Sequence, residues 1–397
     1  MNETKLRAWW FHRQGLDGSL RGKAPTEVLE RAGWARSVGG VGPYLTLFSR
    51  ARTSREAADA AATNLQIHEL PTARGCTYVI PATDFAVGLK AGEEFAKAPM
   101  KVAAKLGVTE KEIEKLCVAV IAALEKEGPL DPEGIRDVTG KASRNLGEEG
   151  KKKGMTTTLP LALGLLQARG EIRRVPVSGR LDQQRYKYTR WKPNPLSTFK
   201  GSVSDAYTEV ARRFFRWVGP ATLGEFQWFS ALGVKASKEA VAPLGLVAAS
   251  STDDRLLLPD DVATWEAFSP PDGPRYAMVS SLDAISAARR DVQSLLDAKD
   301  RAREVLVDSG KKPLGGLSDL PAHAILDRGR LIGLWEYDVE TESIAWATFG
   351  VKKSKALAAE VEETEQYVRD QLGDARSFSL DSPKSRAPRV EAIRRME

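Results

Sequence analysis

The chain has 397 residues, more than one ordinary core accommodates, so two or three packed units are expected. A hydrophobic fraction of 42% and a mean hydropathy of −0.33 exclude a disordered chain. No run approaches the ~18 apolar residues of a membrane-spanning helix, and the opening Met1-Asn-Glu-Thr-Lys-Leu-Arg lacks the apolar stretch of a secretory signal; the reading is a cytoplasmic chain without membrane contact.

In chain order, helices are expected around 3–15, 25–33 and 40–51, followed by a hairpin-like 65–81. Thr109-Glu-Lys-Glu112 reads as a capping box, and Ile113, Leu116, Cys117, Val120, Ile121 and Leu124 behind it form one helical stripe. Gly128-Pro129 ends that helix, and Asp131 can cap a short one carrying Ile135 and Val138. A polar loop over 140–154 leads to Thr156-Thr157-Thr158, which open a helix over 160–169. A strand over 171–177, a turn near Ser178-Gly179-Arg180 and a return strand over 184–191 follow. On that return Arg185, Lys187 and Thr189 share one face and Tyr186, Tyr188 and Arg190 the other.

Three helices and a hairpin are the order of a winged helix. The same order recurs from Tyr207, with Gly219-Pro220 repeating Gly128-Pro129 at a distance of 91 residues, and the N-terminal stretch makes a third copy. From about 270 the texture changes to antiparallel strands at 323–338 and 343–349, a closing helix over 353–372, and a polar, partly loose tail from Asp374. The fold class is therefore α+β: three tandem winged-helix units at 1–98, 99–196 and 197–268, then a small barrel-like antiparallel β domain at 269–397.

The net charge of +6 is unevenly spread. Residues 141–200 hold fourteen Lys and Arg against four acids, a net of +10, and residues 1–55 add another +6. Two basic regions on an acidic body suit a polyanion, and duplex DNA is the expected partner. Candidate contacts are Lys151, Lys152 and Lys153 with Thr157 and Thr158 at the start of the third helix of the middle unit, which would lie in a groove. Arg173, Arg174, Arg180, Arg185 and Lys187 would decorate its wing. The third unit has less basic density and reads as a packing unit.

Cys76 and Cys117 lie 41 positions apart, and His12, His68 and His323 are scattered, so no metal or cofactor is expected. The cysteines read as small apolar filler and His12 and His323 as ordinary surface or core residues. The stretch from Gly134 to Ala142 has the wrong spacing for a P-loop and Ala where Ser or Thr is needed.

Three segments resemble the AlkZ-like and YcaQ-like bacterial DNA glycosylases, which release alkylated bases and unhook interstrand crosslinks. They are Arg74-Gly-Cys-Thr-Tyr-Val-Ile-Pro-Ala-Thr-Asp84, Ala211-Arg-Arg-Phe-Phe-Arg-Trp-Val-Gly-Pro-Ala-Thr222 and Ala324-Ile-Leu-Asp-Arg-Gly-Arg-Leu-Ile-Gly-Leu-Trp335. The resemblance covers nearly the whole chain. It implies three winged helices closed by a β-barrel, a role in DNA repair, and a Gln-x-Gln or Gln-x-Asp pair shortly before Pro43 that activates water against the sugar of a flipped nucleotide. Here that stretch is Arg36-Ser37-Val38-Gly39-Gly40-Val41-Gly42, so the pair falls on Ser37/Gly39 or on Gly39/Val41. The nearest stand-ins are Gln14 and Asp17. The two readings are a glycosylase-like DNA-binding protein, acting as a monomer at the nucleoid, and a DNA-binding or regulatory relative that kept the fold and lost the chemistry.

Overall fold

Thr109 accepts the Glu112 amide at 3.2 Å, as an N-cap should, and the helix Glu110–Glu127 follows, burying Ile113, Leu116, Val120 and Leu124. The reciprocal half of the expected capping box is not made, because the Glu112 carboxylate takes Arg144 at 2.8 Å instead. Asp131 caps the helix Pro132–Thr139 through the Gly134 amide at 2.8 Å. The helix Leu159–Ala168 and the antiparallel strands Ile172–Pro176 and Tyr186–Arg190 complete this stretch, with Arg173 opposite Thr189 and Val175 opposite Lys187. The segment 140–154, read as loop, contains the short helix Gly147–Lys152. One apolar cluster, from Ala103 to Tyr188, is confined to this part of the chain. The computed structural model describes residues 2–183 and 185–396; Gln184, which opens the return strand in the sequence reading, lies outside the described residues.

The related stretch further on has the helix Val203–Val218, a complete capping box between Thr222 and Glu225, the helices Leu223–Ser230 and Val234–Val241, and two short strands, Val247–Ala248 and Leu256–Leu257. Its Phe214, Phe215 and Phe226 share a core with Trp34, Ile80 and Leu89 of the N-terminal stretch. That stretch has helices Glu3–Arg13, Pro25–Ala32 and Gly42–Ala51, and a sheet in which Thr77–Pro81 lies between Ala35–Arg36 and Ile67–Pro71. Two further helices, Arg55–Thr63 and Phe85–Ala104, had no counterpart in the sequence reading, and the second runs across the 98/99 division.

The C-terminal part has an antiparallel sheet in the order Ser343–Thr348, Arg330–Asp338, His323–Asp327, Tyr276–Val279. Among the described residues this sheet is open, with two edge strands, and the hairpin Glu304–Val307 with Gly310–Pro313 is separate from it. The barrel expected from the sequence is thus corrected to a covered open sheet. The helix Lys355–Tyr367 and a π-helical turn, Val368–Leu372, cover one side. The tail is not loose: it passes Gly40 and ends in the helix Pro383–Arg394, whose Arg389 reaches the buried Glu336 at 3.2 Å. Trp9 and Trp10 of the first helix are buried and donate to the Gly219 and Pro220 carbonyls at 2.8 and 3.2 Å. Mixed helix and antiparallel sheet make the whole an α+β fold. No helix of the described residues is long and apolar enough to cross a membrane.

Candidate functional site

Two adjoining cavities of about 350 and 400 Å³, which share Arg36, Cys76 and Phe378, form a cleft. One end is aromatic: Trp34, Tyr78, Trp217 and Phe229 form its wall, with Trp34 and Trp217 at 5.3 Å between ring centroids. At the rim Trp228 is held between two guanidinium groups, Arg74 at 3.2 Å and Arg290 at 3.9 Å. Arg74 adopts a left-handed backbone (φ 62°), a conformation that costs an ordinary residue roughly 1–2 kcal/mol, and the turn so formed places its side chain at the cleft.

The other end is polar. The first strand leaves Ser37 beside Glu69 of the strand Ile67–Pro71, and the Ser37 hydroxyl donates to Glu69 Oε1 at 2.5 Å. Glu69 is 8% exposed, and its Oε2 accepts no hydrogen bond among the described residues. Arg174 stands 3.9 Å from that oxygen. Burial and the Glu69 carboxylate push the Tyr186 phenol up, so it stays protonated and able to donate. Glu69 lines the cleft, while its Oε2 is itself buried and lacks a donor among the described residues, a polar atom whose hydrogen bonding is left unsatisfied beside Arg174 and Tyr186. Glu69, Arg174 and Tyr186 also line a third cavity of about 140 Å³ beside Arg173 and His68. Burial, then Arg173 and Arg174, push His68 down to about 3, so it is neutral.

The glycines before Pro43 have a packing reason. A Cβ on Gly40 would lie 2.3 Å from the Ser377 carbonyl oxygen, so only glycine lets the tail run against this segment. Val41 donates to the Arg376 carbonyl at 2.9 Å, and Ser379 to that of Val38 at 3.1 Å. Two of the resembling segments meet behind the aromatic wall, where Asp84 accepts from Trp34 at 2.7 Å and from Arg213 at 2.8 Å. These residues hold the wall in place.

The residues singled out from sequence have different fates. Gln14 is 0% exposed; its carboxamide oxygen and main-chain carbonyl both accept from the buried Arg50, at 2.9 and 3.0 Å, away from the cleft. Its oxygens support Arg50, and it does not line the cleft. Asp17 pairs with His12 at 2.6 Å and lines a separate cavity of about 220 Å³. Burial works against its charge, but hydrogen bonds from His12 and Ser19 prevail and hold its carboxyl below the ordinary value.

Thr158 is buried and accepts the Arg144 amide at 3.0 Å, and Thr157 is bridged to Asn145. The helix Leu159–Ala168 buries eight of its ten residues, so it cannot enter a groove as the sequence reading had it. Lys151 and Lys152 are exposed but pair with Glu148 and Glu149 at 2.7 and 3.2 Å; Lys153 is exposed at the end of the same helix. Arg180 is bound bidentately to Asp182, at 2.9 and 2.5 Å.

Part of the +10 is matched by Glu112, Glu114 and Glu125 of the neighbouring helix, through Arg144, Arg169 and Lys192. Arg173, Arg185 and Lys187 form no ion pair among the described residues, and Arg185 and Lys187 are exposed on the outer face of the hairpin. Arg174, on the opposite face, reaches the cleft.

Sequence reasoning missed Glu69, Trp228 and Phe378. The signal available was the glycine run, which marks a close backbone approach. Cys117 is buried filler whose thiol burial pushes up to about 11, whereas Cys76 stands in the cleft wall. His323 is a core residue: Nδ1 accepts the Ser281 amide at 3.0 Å and Nε2 meets the Ala375 carbonyl at 2.6 Å. Among the described residues no group of three or more His, Cys, Asp or Glu is placed to hold a metal ion.

A family model described as DNA glycosylase AlkZ-like matches residues 41–378. Among solved structures the chain is similar to Streptomyces sahachiroi DNA glycosylase AlkZ, with a TM-score of 0.68 and 18% identity over 94% of this chain and 98% of that one. At that identity the likeness is one of fold. No curated protein matches the chain.

Proposed function

The chain belongs to the AlkZ-like DNA glycosylase family, and from that premise we propose that it binds damaged duplex DNA and hydrolyses the N-glycosidic bond of an alkylated base turned out into the cleft. The observation that carries the reading is the buried Ser37–Glu69 pair on the lining of a cavity of about 400 Å³, Ser37 lying in the stretch onto which the resembling family's catalytic pair falls. Glu69 orients water against the anomeric carbon and accepts its proton as the new C–O bond forms. The C1′–N bond breaks with its electron pair leaving on the base, and a cationic 7-alkylguanine departs neutral. Ser37 fixes the carboxylate and the aromatic wall stacks the base.

In this reading 1–98, 99–196 and 197–268 are winged-helix units and 269–397 is the sheet domain, one chain serving one duplex at the nucleoid. The hairpin of the middle unit, with Arg173, Arg185 and Lys187, follows the phosphates, and Lys153 adds an outer contact together with Lys151 and Lys152 once Glu148 and Glu149 release them. Ala substitution of Arg185 and Lys187 together is expected to lower the slope of log K against log salt by about 1.8, about 0.9 for each lost phosphate contact. An unchanged slope in a fluorescence-anisotropy titration takes the hairpin off the DNA.

The second reading, a DNA-binding relative without hydrolysis, is favoured by one observation: the stretch Arg36–Gly42, where the amide pair would fall on Ser37/Gly39 or Gly39/Val41, holds no Gln and no carboxylate. Incubation with a duplex carrying one 7-methylguanine, followed by alkaline cleavage at abasic sites, separates the two. Strand cleavage dependent on the protein supports the glycosylase. A bound duplex with no cleavage above the spontaneous rate leaves only the binder.

A further inference from the structure

Past the closing helix, the tail makes a tight turn at 378–381 on the rim of the cleft. Phe378 is 46% exposed and Leu380 93% exposed, whereas the other exposed large hydrophobics of the described residues are all valines. Leu380 lines the same cavity as Ser37 and Glu69, and Phe378 lines both halves of the cleft. We propose that this turn is a wedge: on binding duplex DNA, Leu380, backed by Phe378, enters the base stack and fills the space from which the damaged nucleotide is turned out. The proposal rests on the reading of the cleft as the seat of that nucleotide.

The geometry suits the task in three ways. First, the tip is held rigidly, as an intruding side chain must be if it is to unstack bases rather than fold away. Phe378 N–H donates to the Asp381 carboxylate at 3.1 Å, and Asp381 N–H returns to the Phe378 carbonyl at 3.1 Å. The Ser377 and Ser281 hydroxyls meet at 2.7 Å, and the His323 ring holds Ala375. Second, Ser379 is bonded to Val38, so the tip is fixed directly to the segment that carries Ser37. Third, Arg36, Arg74 and Arg174 line the cleft behind it, a positive wall that draws the displaced nucleotide's phosphate inward.

The test uses a duplex with a tetrahydrofuran abasic-site analogue, which cannot be hydrolysed, and 2-aminopurine as the base opposite. Unstacking of that base raises its fluorescence. Full-length protein at saturation is expected to give a several-fold rise; Leu380→Ala is expected to remove about half of it or more, and Phe378→Ala with Leu380→Ala nearly all. Leu380→Met, which keeps length and apolarity, should restore the rise. The melting temperature should not move, because Leu380 is almost wholly exposed.

Equal fluorescence from Leu380→Ala and wild type, or a bound duplex without any rise in wild type, overturns the wedge. A full rise with no release of 7-methylguanine in the cleavage assay would instead overturn the hydrolytic reading and leave the wedge standing.

Discussion

Glu69→Gln is expected to slow single-turnover release of 7-methylguanine by about 10²- to 10³-fold, the range in which a positioned general base acts. The substitution keeps volume and leaves an oxygen for the Ser37 hydroxyl, so the cleft retains its shape. What it removes is the charge that receives water's proton. Glutamine also leaves Arg174, 3.9 Å away, without its counter-charge, so thermal melting should be recorded alongside. A rate loss with duplex affinity and melting preserved assigns Glu69 to the chemistry. A rate equal to wild type removes it, and the polar end of the cleft then offers no other carboxylate among its lining residues. Asp17→Asn serves as the control: its partner is His12 in another cavity, and release should proceed at the wild-type rate.

Asp283→Ala is expected to destabilise the protein by about 3–5 kcal/mol, read as a lowered urea midpoint, because it strands a buried charge. Arg50 and Asp283 are both 0% exposed and joined by two hydrogen bonds of 2.8 Å. Asp283 also caps the Ile285 amide at 3.0 Å, and loss of such a cap adds roughly 1 kcal/mol. The pair ties the helix Gly42–Ala51 to the segment before Ala284, whose Ser281 and Leu282 line the cleft, so the loss should reach the site as well. Replacing both partners together, Arg50→Met with Asp283→Leu, should recover most of the stability, since no lone charge remains. A single variant as stable as wild type would show that water reaches Arg50.

The elements most legible in the sequence were those with side-chain caps and leucine-rich stripes. Thr109, Asp131 and Thr222 each start the helix expected of them, and the strands around Trp335 fall where alternation placed them. The helices Arg55–Thr63 and Phe85–Ala104 were hidden for opposite reasons. The first buries only Ala58 and Ala61, so it shows no stripe of large residues. The second carries Gly88, Gly92 and Pro99, which read as breakers, yet a Cβ at Gly92 would stand 2.7 Å from the Pro71 carbonyl oxygen. Close packing on the hairpin requires those glycines.

The site was less legible than the fold. Charge counting located a basic region, but three of the acids that pair with it sit on a helix outside the counted window. The amide nearest the missing pair, Gln14, is near in sequence only. Glu69 belongs to the site because strand pairing brings Ile67–Pro71 beside Thr77–Pro81 and hence close to Ser37. No spacing rule along the chain encodes that proximity.

The hydrogen bond from Ser379 to Val38 joins residues 341 positions apart. During synthesis the segment holding Ser37 emerges well before the turn that braces it. Until residues 376–379 follow, Gly40 lacks the Ser377 carbonyl it packs against and the rim does not exist. The order of synthesis therefore acts as a timer, withholding a finished site until the bracing turn has emerged.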